Sequence, residues 1–310
     1  MTLFKRRVIA QLIIICCLPG VLCGSCMVFS SSHKKHVKEV KQVLDVPYLN
    51  DDIYKHKMDI FLPEGEKNFP MILFIHGGGW HWGDRRGFMD IYGDMGRSWA
   101  AHNIGTAVIS YRLGDEHLID EQISDVAAAV AWIYKNAEKF NADNKKLIVC
   151  GHSAGAHLAA MIAFDPEWLG KYGLNTNIIK GLILWSGLYD INESIAEAKC
   201  FIRKKIWHPV FGKSEQYWKR MSPVTFIMKK NFVFSKILIL CAEQDYKTIK
   251  AQSRKIAGLL GQNCMNGVEI ISGEGHFSEV FHADEEGNPG FEKIVGFAKS
   301  FKESINNGSN

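Results

Sequence analysis

A serine between glycines is the first group in this sequence that has the setting of a nucleophile. Residues 151–155 are Gly-His-Ser-Ala-Gly, and they follow an apolar run that ends at Cys150. At a tight turn between a buried strand and a helix, flanking glycines leave room for a strained, exposed serine. This setting predicts that Ser153 attacks a carbonyl carbon and that the Ala154 amide, at the helix start, faces the carbonyl oxygen.

A second glycine-rich segment could stabilise the charge that such an attack creates. Residues 76–80 are His-Gly-Gly-Gly-Trp and follow a short apolar run. Consecutive glycines allow backbone amides to approach an oxyanion closely. We expect Gly78 and Gly79, together with Ala154, to form the oxyanion hole, and His76 to hold the loop in place. A phosphate-binding loop would need a Lys-Ser/Thr ending or dinucleotide-type spacing, and the segment has neither.

Serine is a poor nucleophile at neutral pH, so the chain must also supply a base and an acid. Asp245 follows the apolar run 237–240, and His276 follows the apolar run 268–271. The loops after parallel strands meet at one edge of a sheet. We therefore expect His276 to take the serine proton and Asp245 to orient the imidazole and stabilise its cation.

Alternatives to these assignments stay open. Asp190 also follows an apolar run and is an alternative acid, while His282 is a weaker alternative base because it lies beyond the strand. His152 and His157 flank the nucleophile, and we interpret them as packing or pocket-lining groups. His152 and Trp80 are the candidate residues of the substrate pocket.

Short apolar runs alternate with helical patterns along most of the chain. Continuous hydrophobicity is typical of strands that are covered on both faces. Strands that alternate with helices predict an α/β fold with a mainly parallel central sheet flanked by helices. Residues 43–46 and 58–61 could add antiparallel strands at one edge. The predicted parallel strands are residues 71–75, 107–110, 147–150, 181–185, 237–240 and 268–271, and the predicted helices are residues 119–140, 154–164, 249–260 and 291–301.

Residues 191–235 depart from this alternation and carry aromatic side chains among many cations. They predict a helical insertion that caps a pocket above the sheet, with a peripheral excursion as an equal alternative. The resulting division of the chain is a signal peptide or membrane anchor at 1–25, a tether at 26–42, one α/β domain at 43–303 and a tail at 304–310.

The composition indicates a chain that folds around a core, because 47% of its 310 residues are hydrophobic and 23% are charged. This profile excludes disorder, collagen and coiled coil. The net charge is +4, but the first 25 residues hold three cations and no acid, and removing these three from 37 leaves 34 cations against 33 acids. A nucleic-acid partner is therefore not expected.

The amino terminus has the layout of a secretion signal. A basic cluster at residues 5–7 precedes an apolar run that ends at a Pro-Gly pair, as in signal peptides. The run is short for a membrane span, and an uncleaved anchor is the alternative. Both interpretations place the domain outside the cytosol. Residues 22–26, Leu-Cys-Gly-Ser-Cys, partly match a lipoprotein cleavage box in which Cys26 would be acylated.

Four cysteines lie beyond Cys26, too few for a disulfide scaffold in a domain of this size. Cys150 and Cys241 end predicted strands and should fill the core, whereas Cys200 and Cys264 could pair. No Cys or His spacing matches a zinc site, so the sequence predicts no metal.

The chain resembles α/β-hydrolase esterases of the hormone-sensitive-lipase-like and feruloyl-esterase-like (BD-FAE-type) groups, whose relatives include arylformamidases and prenylcysteine methylesterases. The resemblance extends over residues 43–301. It implies an α/β-hydrolase fold with a Ser-His-Asp triad that acts without metal or organic cofactor on a carboxylic ester or an aryl formamide. The segments that carry it are residues 76–80, 83–85, 151–159 and 186–190 and the loops of Asp245 and His276.

The predicted function is therefore carboxylic ester hydrolysis through an acyl-enzyme. Trp80, Trp82 and the aromatic insertion favour a small or aromatic ester over a triglyceride. An arylformamidase-like amide hydrolase and a catalytically silent binding protein are the alternatives. The expected partners are a small-molecule ester and, in the anchored form, a membrane at the N-terminus.

Overall fold

The computed structural model describes residues 39–114, 117–229 and 236–301 of the chain. These residues contain eight strands, numbered along the chain as β1 (Val40–Pro47), β2 (Lys57–Pro63), β3 (Phe69–Ile75), β4 (Gly105–Ile109), β5 (Ala142–His152), β6 (Gly181–Trp185), β7 (Lys236–Ala242) and β8 (Cys264–Ile271). The strands form one sheet in the order β1-β2-β4-β3-β5-β6-β7-β8. Only β2 pairs antiparallel, with β1 and β4, in this described sheet, and the other pairs are parallel. The predicted parallel sheet with an antiparallel edge is confirmed.

Helices pack on both faces of the sheet, as expected for strands that are buried on both sides. Short 3-10 segments occur at Phe88–Asp90, Ala137–Phe140, Thr176–Ile178 and Gly261–Asn263, and a π-helical turn spans Arg203–Trp207. The α-helices of the described residues are α1 (Ile91–Ala101), α2 (Ile119–Asn136), α3 (Ala154–Phe164), α4 (Pro166–Gly170), α5 (Ile191–Glu197), α6 (Cys200–Ile202), α7 (His208–Phe211), α8 (Glu215–Arg220), α9 (Pro223–Ile227), α10 (Lys247–Leu260), α11 (Ser278–Phe281) and α12 (Pro289–Lys299).

Strand β3 illustrates how one apolar run fills two cores. All of its residues are buried. Met71 and Leu73 pack into a cluster with side chains of α2, α3 and α10, whereas Ile72 and Phe74 pack into a cluster with side chains of α1 and α12. Because successive side chains of a strand point to opposite faces, a continuous apolar run is required to fill both sides.

The strand register brings the predicted site loops together. Ile75 of β3 pairs with Gly151 of β5, so the loop at residues 76–80 and the Ser153 turn leave the sheet at adjacent positions. On the other side of β5, the strands β6, β7 and β8 follow in parallel. Their carboxyl ends therefore reach the same edge of the sheet.

The predicted helical insertion lies between β6 and β7. It consists of helices α5 to α9 and the π-helical turn, over residues 191–227. We call these residues the cap. Trp207 and Phe211 of the cap are buried and belong to the same hydrophobic cluster as Met71 and Leu73 of β3, so the aromatic side chains noted in the sequence join the cap to the core of the domain.

Helix α1 is one element that the sequence patterns do not predict. Gly93 and Gly96 weaken its helical pattern, because glycine has a low helix propensity. The packing explains one of these glycines. A Cβ at position 96 would lie 2.4 Å from the ring of Phe61, so glycine is what allows α1 to lie directly against β2.

The four cysteines of the described residues are free; Cys150, Cys241 and Cys264 are buried and Cys200 is exposed. The alternative of a Cys200–Cys264 disulfide is therefore wrong. Cys150 and Cys241 are fully buried, which confirms that they fill the core.

Within the described ranges, no helix combines the length and the apolar character needed to cross a bilayer. The predicted leader at residues 1–25, the candidate acylation site Cys26 and the tail at 304–310 lie outside the described residues. The proposed division of the chain into leader, tether, domain and tail stays a prediction.

Candidate active site

Ser153 lies at the turn between β5 and α3, with backbone angles φ 55° and ψ −118°. A positive φ is uncommon for a residue with a side chain and stores strain. Both neighbouring glycines are required here. A Cβ at position 151 would lie 2.2 Å from the carbonyl oxygen of Gly155, and a Cβ at position 155 would lie 2.1 Å from that of Ile75. The turn therefore tolerates no side chain at either position without moving the backbone.

His276 lies in the loop after β8, and its Nε2 is 2.9 Å from Oγ of Ser153. This is the distance expected between a general base and the hydroxyl that it deprotonates. The imidazole is 9% exposed, and the rings of Tyr246 and Phe277 flank it. The fold thus joins two groups that are 123 residues apart in the chain.

Asp245 follows β7, and its Oδ1 lies 3.0 Å from Nδ1 of His276. The contact has the distance of an ion pair, although the ring N–H is not aligned with the oxygen. Burial raises the pKa of Asp245, but interactions with His276, Ser186 and the Tyr246 amide outweigh burial and hold the pKa below its usual value. The carboxyl group next to the imidazole is therefore ionised at neutral pH.

The alternative acid, Asp190, and the alternative base, His282, contact other residues and not Ser153. Asp190 caps helix α5 by accepting a hydrogen bond from the Glu193 amide at 3.0 Å, and it forms a 2.8 Å ion pair with Lys255. His282 lies 2.8 Å from Glu274. Of the four candidates, His276 is the one that contacts Ser153, and Asp245 is the acid that contacts His276.

The glycine-rich loop lies against the Ser153 turn. A Cβ at position 77 would be 3.2 Å from Cβ of Ser153, so the two backbones are in contact. Gly78 and Gly79 have φ angles of 116° and 59°, which favour glycine. Ala154 begins helix α3, where the first amides have no partner inside the helix. The three predicted oxyanion donors therefore lie on two segments that meet at Ser153.

His76 supports this loop from the core. Its ring stacks on Tyr111 with centroids 4.3 Å apart, and its Nδ1 lies 2.6 Å from the carbonyl oxygen of Gly77, to which it donates. Burial lowers the pKa of His76 to about 4, so the imidazole is neutral at physiological pH. These contacts favour the structural role that the sequence predicts.

Trp80 connects the glycine-rich loop to the cap. Its indole N–H donates to Nδ1 of His157 at 3.2 Å, and Nε2 of His157 donates to the carbonyl oxygen of Met221 at 2.8 Å. The Trp80 ring also contacts Trp207 and Phe211. Trp80 is 3% exposed, so its placement favours packing and does not support the predicted pocket role.

His152, the other predicted pocket residue, is also buried. Its Nε2 donates to the carbonyl oxygen of His276 and to Oε1 of Glu279, each at 3.1 Å. Burial lowers the pKa of His152 to about 4, so the ring is neutral. His152 therefore supports the backbone of His276 and does not line an open pocket.

Four residues near the triad are missing from the sequence-based set of site residues. Tyr246 and Phe277 directly follow Asp245 and His276 in the chain, and this adjacency was the signal that could have identified them. Glu279 follows His276 by three residues, and Ser186 directly follows β6 in the segment 186–190 that carries the family resemblance. These positions were a signal, but no motif gives either residue a chemical role, and their burial beside the triad follows only from packing.

Among the described residues, His152, His276 and Glu279 are a group whose ligand atoms lie within 4.8 Å of one another, as a metal site would need. The ring nitrogens of His276 face Ser153 and Asp245, and Nε2 of His152 donates to a backbone carbonyl. A nitrogen that carries a proton cannot bind a metal. The arrangement fits a hydrogen-bonded site better than a metal site.

Comparison with known proteins identifies the family. The BD-FAE family model matches residues 58–260. Kynurenine formamidase of Drosophila melanogaster is 28% identical over 232 residues, 73% of this chain and 73% of that protein. Carboxylesterase NlhH of Mycobacterium tuberculosis is 33% identical over 105 residues, 33% of this chain and 31% of that protein. The crystal structure of esterase B from Lactobacillus rhamnosis superposes with a TM-score of 0.72 at 16% identity, over 96% of this chain and 91% of that chain. The fold is the α/β-hydrolase fold, and the chain belongs to the BD-FAE family.

Proposed function

We propose that this protein hydrolyses carboxylic esters through a covalent acyl-enzyme on Ser153. The observation that carries the proposal is the continuous contact from Oγ of Ser153 to Nε2 of His276 at 2.9 Å, and from Nδ1 of His276 to Asp245 at 3.0 Å. Membership of an esterase family and the strained serine turn support the same chemistry.

In the proposed reaction, Oγ of Ser153 attacks the ester carbonyl while Nε2 of His276 accepts its proton. The amides of Gly78, Gly79 and Ala154 stabilise the oxyanion of the tetrahedral intermediate. The imidazolium then donates the proton to the leaving alkoxide, so an alcohol departs and the acyl group stays on Ser153. Water, deprotonated by the same imidazole, releases the acid in the second half of the cycle. Asp245 stabilises the imidazolium in both halves.

The surroundings of His276 favour a small or aromatic substrate. Tyr246 and Phe277 flank the imidazole, and Phe277 is 42% exposed. Trp82 lies beside Gly79 on the oxyanion side. Aromatic side chains at a site entrance bind flat aromatic groups by stacking. Faster turnover of long-chain triglycerides than of short p-nitrophenyl or aryl esters would contradict this substrate class.

Hydrolysis of an aryl formamide is the second candidate function. The observation that favours it is the similarity to the Drosophila kynurenine formamidase over 73% of both chains. The experiment compares kcat/KM for N-formylkynurenine and for aryl acetates on one purified preparation. A preference for the formamide above tenfold would replace the ester assignment, and the triad roles would stay the same.

A serine-directed fluorophosphonate probe distinguishes a working triad from a silent binding protein. Wild-type protein should be labelled, and Ser153→Ala should not. Asp190→Asn is the matched control, because Asp190 follows a strand in the same way but contacts Lys255 instead of His276. Folded wild-type protein that resists the probe would favour the binding protein.

For the location of the protein, we propose export from the cytosol with the domain either secreted or attached to a membrane by its N-terminus. The basic and apolar pattern of the first 25 residues supports export. Mass spectrometry of the mature amino terminus tests it. A lipid-modified Cys26 supports a lipoprotein, and an unmodified first residue other than Cys26 removes that form.

A further inference from the structure

A buried carboxyl group that the proposed mechanism does not use lies directly behind the triad. Glu279, in helix α11, is 0% exposed. Its Oε1 lies 3.1 Å from Nε2 of His152, and its Oε2 receives no well-formed hydrogen bond. A fully buried acid with an unsatisfied oxygen is costly unless it has a role or carries a proton.

Ser186 is a neighbour that this acid and the triad acid share. Its side chain is fully buried and interacts with both Asp245 and Glu279. Oγ of Ser186 also accepts a hydrogen bond from the Ala242 amide at 3.3 Å. A hydroxyl carries one proton, so Ser186 can donate to only one of the two carboxyl groups.

The charges around Glu279 decide which carboxyl group keeps its proton. In the part of the chain that the structure describes, no lysine or arginine contributes to the interactions of Glu279, and Asp245 is ionised beside His276. A second carboxylate in this space would have to share the imidazole of His276 with Asp245, which already pairs with it, and a buried charge without its own partner is costly. The titratable groups facing Glu279 are His152, His276, Asp245, Cys241 and Tyr189.

We infer that Glu279 is a positioning residue of the triad, a protonated acid that donates through Ser186 to Asp245 and accepts from His152. In this arrangement, the Glu279 proton lies toward Oγ of Ser186, and the Ser186 proton lies toward Asp245. His152 links Glu279 to the carbonyl oxygen of His276. The chain of hydrogen bonds thus holds both the acid and the backbone of the base.

The pKa of Glu279 agrees with a protonated carboxyl group in this arrangement. Burial, with a smaller contribution from Asp245, raises the pKa of Glu279 to about 8, against the opposing effects of Ser186, His276 and Trp185. The proton is therefore present at neutral pH and lost in mild alkali. Once Glu279 is ionised, the Ser186 hydroxyl turns toward the new carboxylate, and Asp245 loses a donor.

The activity experiment, which rests on the proposed ester hydrolysis, compares Glu279→Gln with Glu279→Leu. Glutamine keeps the donor and the acceptor but cannot ionise, so its kcat should stay within about threefold of wild type at neutral pH, and the decline above pH 8 should disappear. Leucine removes both hydrogen bonds and should lower kcat by about 10- to 100-fold with little change in KM. Ser186→Ala should produce a loss of similar size, and adding it to Glu279→Leu should cost little more.

Glu274→Gln is the matched control on the same loop. Glu274 contacts His282 and Asn288. Its replacement should therefore lower the melting temperature without changing the decline of kcat above pH 8. Wild-type kcat in Glu279→Leu, or an unchanged alkaline decline in Glu279→Gln, would overturn the inference.

A stability measurement tests the protonation state without relying on any activity. In the unfolded chain, the pKa of Glu279 returns to about 4.3, so the folded state alone holds the proton between that pH and about 8. The contribution of this proton to stability falls as the pH rises. The melting temperature of Glu279→Gln minus that of wild type should therefore increase from pH 5 to pH 8. A constant difference refutes the inference even if the protein hydrolyses no ester.

Discussion

Replacing Asp245 by asparagine tests the assignment of the triad acid most directly. Oδ1 of Asp245 accepts a hydrogen bond from the Tyr246 amide at 2.7 Å and faces Nδ1 of His276 at 3.0 Å. A backbone N–H cannot turn away, so the asparagine oxygen should keep this position. The amide group then occupies the Oδ2 position, near Sγ of Cys241. Its other neighbour is the Ser186 hydroxyl, and the hydrogens of both groups can rotate. The variant should therefore fold normally and lose chiefly the negative charge.

The size of the effect follows from the distance between the two groups. Opposite unit charges 3.0 Å apart attract by about 5.5 kcal/mol at an effective dielectric constant of about 20. Each tenfold change in rate corresponds to about 1.4 kcal/mol, so the charge accounts for about 10⁴-fold at most. The neutral amide oxygen that stays beside Nδ1 of His276 still attracts the imidazolium through its dipole and retains part of this. We expect kcat to fall by about 10³- to 10⁴-fold, with the size known for this substitution in Ser-His-Asp triads at the upper end.

The assay is steady-state hydrolysis of p-nitrophenyl acetate, with active enzyme counted by the acyl-enzyme burst and folding checked by circular dichroism. Asp190→Asn is the control, because asparagine also caps helices and the ion pair with the half-exposed Lys255 contributes little. Its kcat should stay within about twofold of wild type and its stability within about 1 kcal/mol. A loss below tenfold in Asp245→Asn, or a larger loss in Asp190→Asn, would refute the acid assignment.

Three further predictions concern stability. Ser153→Gly should abolish turnover but stabilise the fold by about 1 kcal/mol relative to Ser153→Ala, because glycine relieves the backbone strain at φ 55°; equal melting temperatures would argue against strain. Phe211→Ala should cost about 3–5 kcal/mol in denaturant titration, because the ring is fully buried against Trp80; a loss below 1 kcal/mol would mean that the cap is loosely packed. His56→Gln should be less stable than wild type in acid, with a difference that shrinks as the pH rises. Burial lowers the pKa of His56, but its ion pairs with Asp125 and Asp51 outweigh burial and raise it, so the stabilising charge is complete below about pH 6.5 and disappears above the raised pKa. Parallel pH dependences of the two proteins would refute that assignment.

The burial of Trp80 changes how the cap relates to the proposed chemistry. The indole is fixed by His157 and by two cap aromatics, and the same residue ends the glycine-rich loop. Disturbance of the cap should therefore move the amides that we propose for the oxyanion hole, as well as any pocket above them. The structure thus assigns the aromatic insertion a supporting role that its composition did not indicate.

The sequence by itself determined the elements and the chemical groups of the site. The apolar runs predicted the parallel strands because a strand buried on both faces needs continuous hydrophobicity. The glycines around Ser153 and in the loop at residues 76–80 predicted tight turns because backbone contact excludes side chains there. These signals depend only on residues adjacent in the chain, so they can be recognised without knowing the tertiary contacts.

Tertiary structure alone decided which distant groups meet. Asp190 and Asp245 both follow strands, and no local pattern separates them, but β7 lies next to β8 and brings Asp245 to His276. Glu279 and Ser186 lie near site segments in the sequence, but only packing buries both of them against the triad. Trp80 resembles a pocket residue in sequence and is buried under the cap. Each of these outcomes depends on contacts between residues far apart in the chain, and a local sequence pattern contains no information about such contacts.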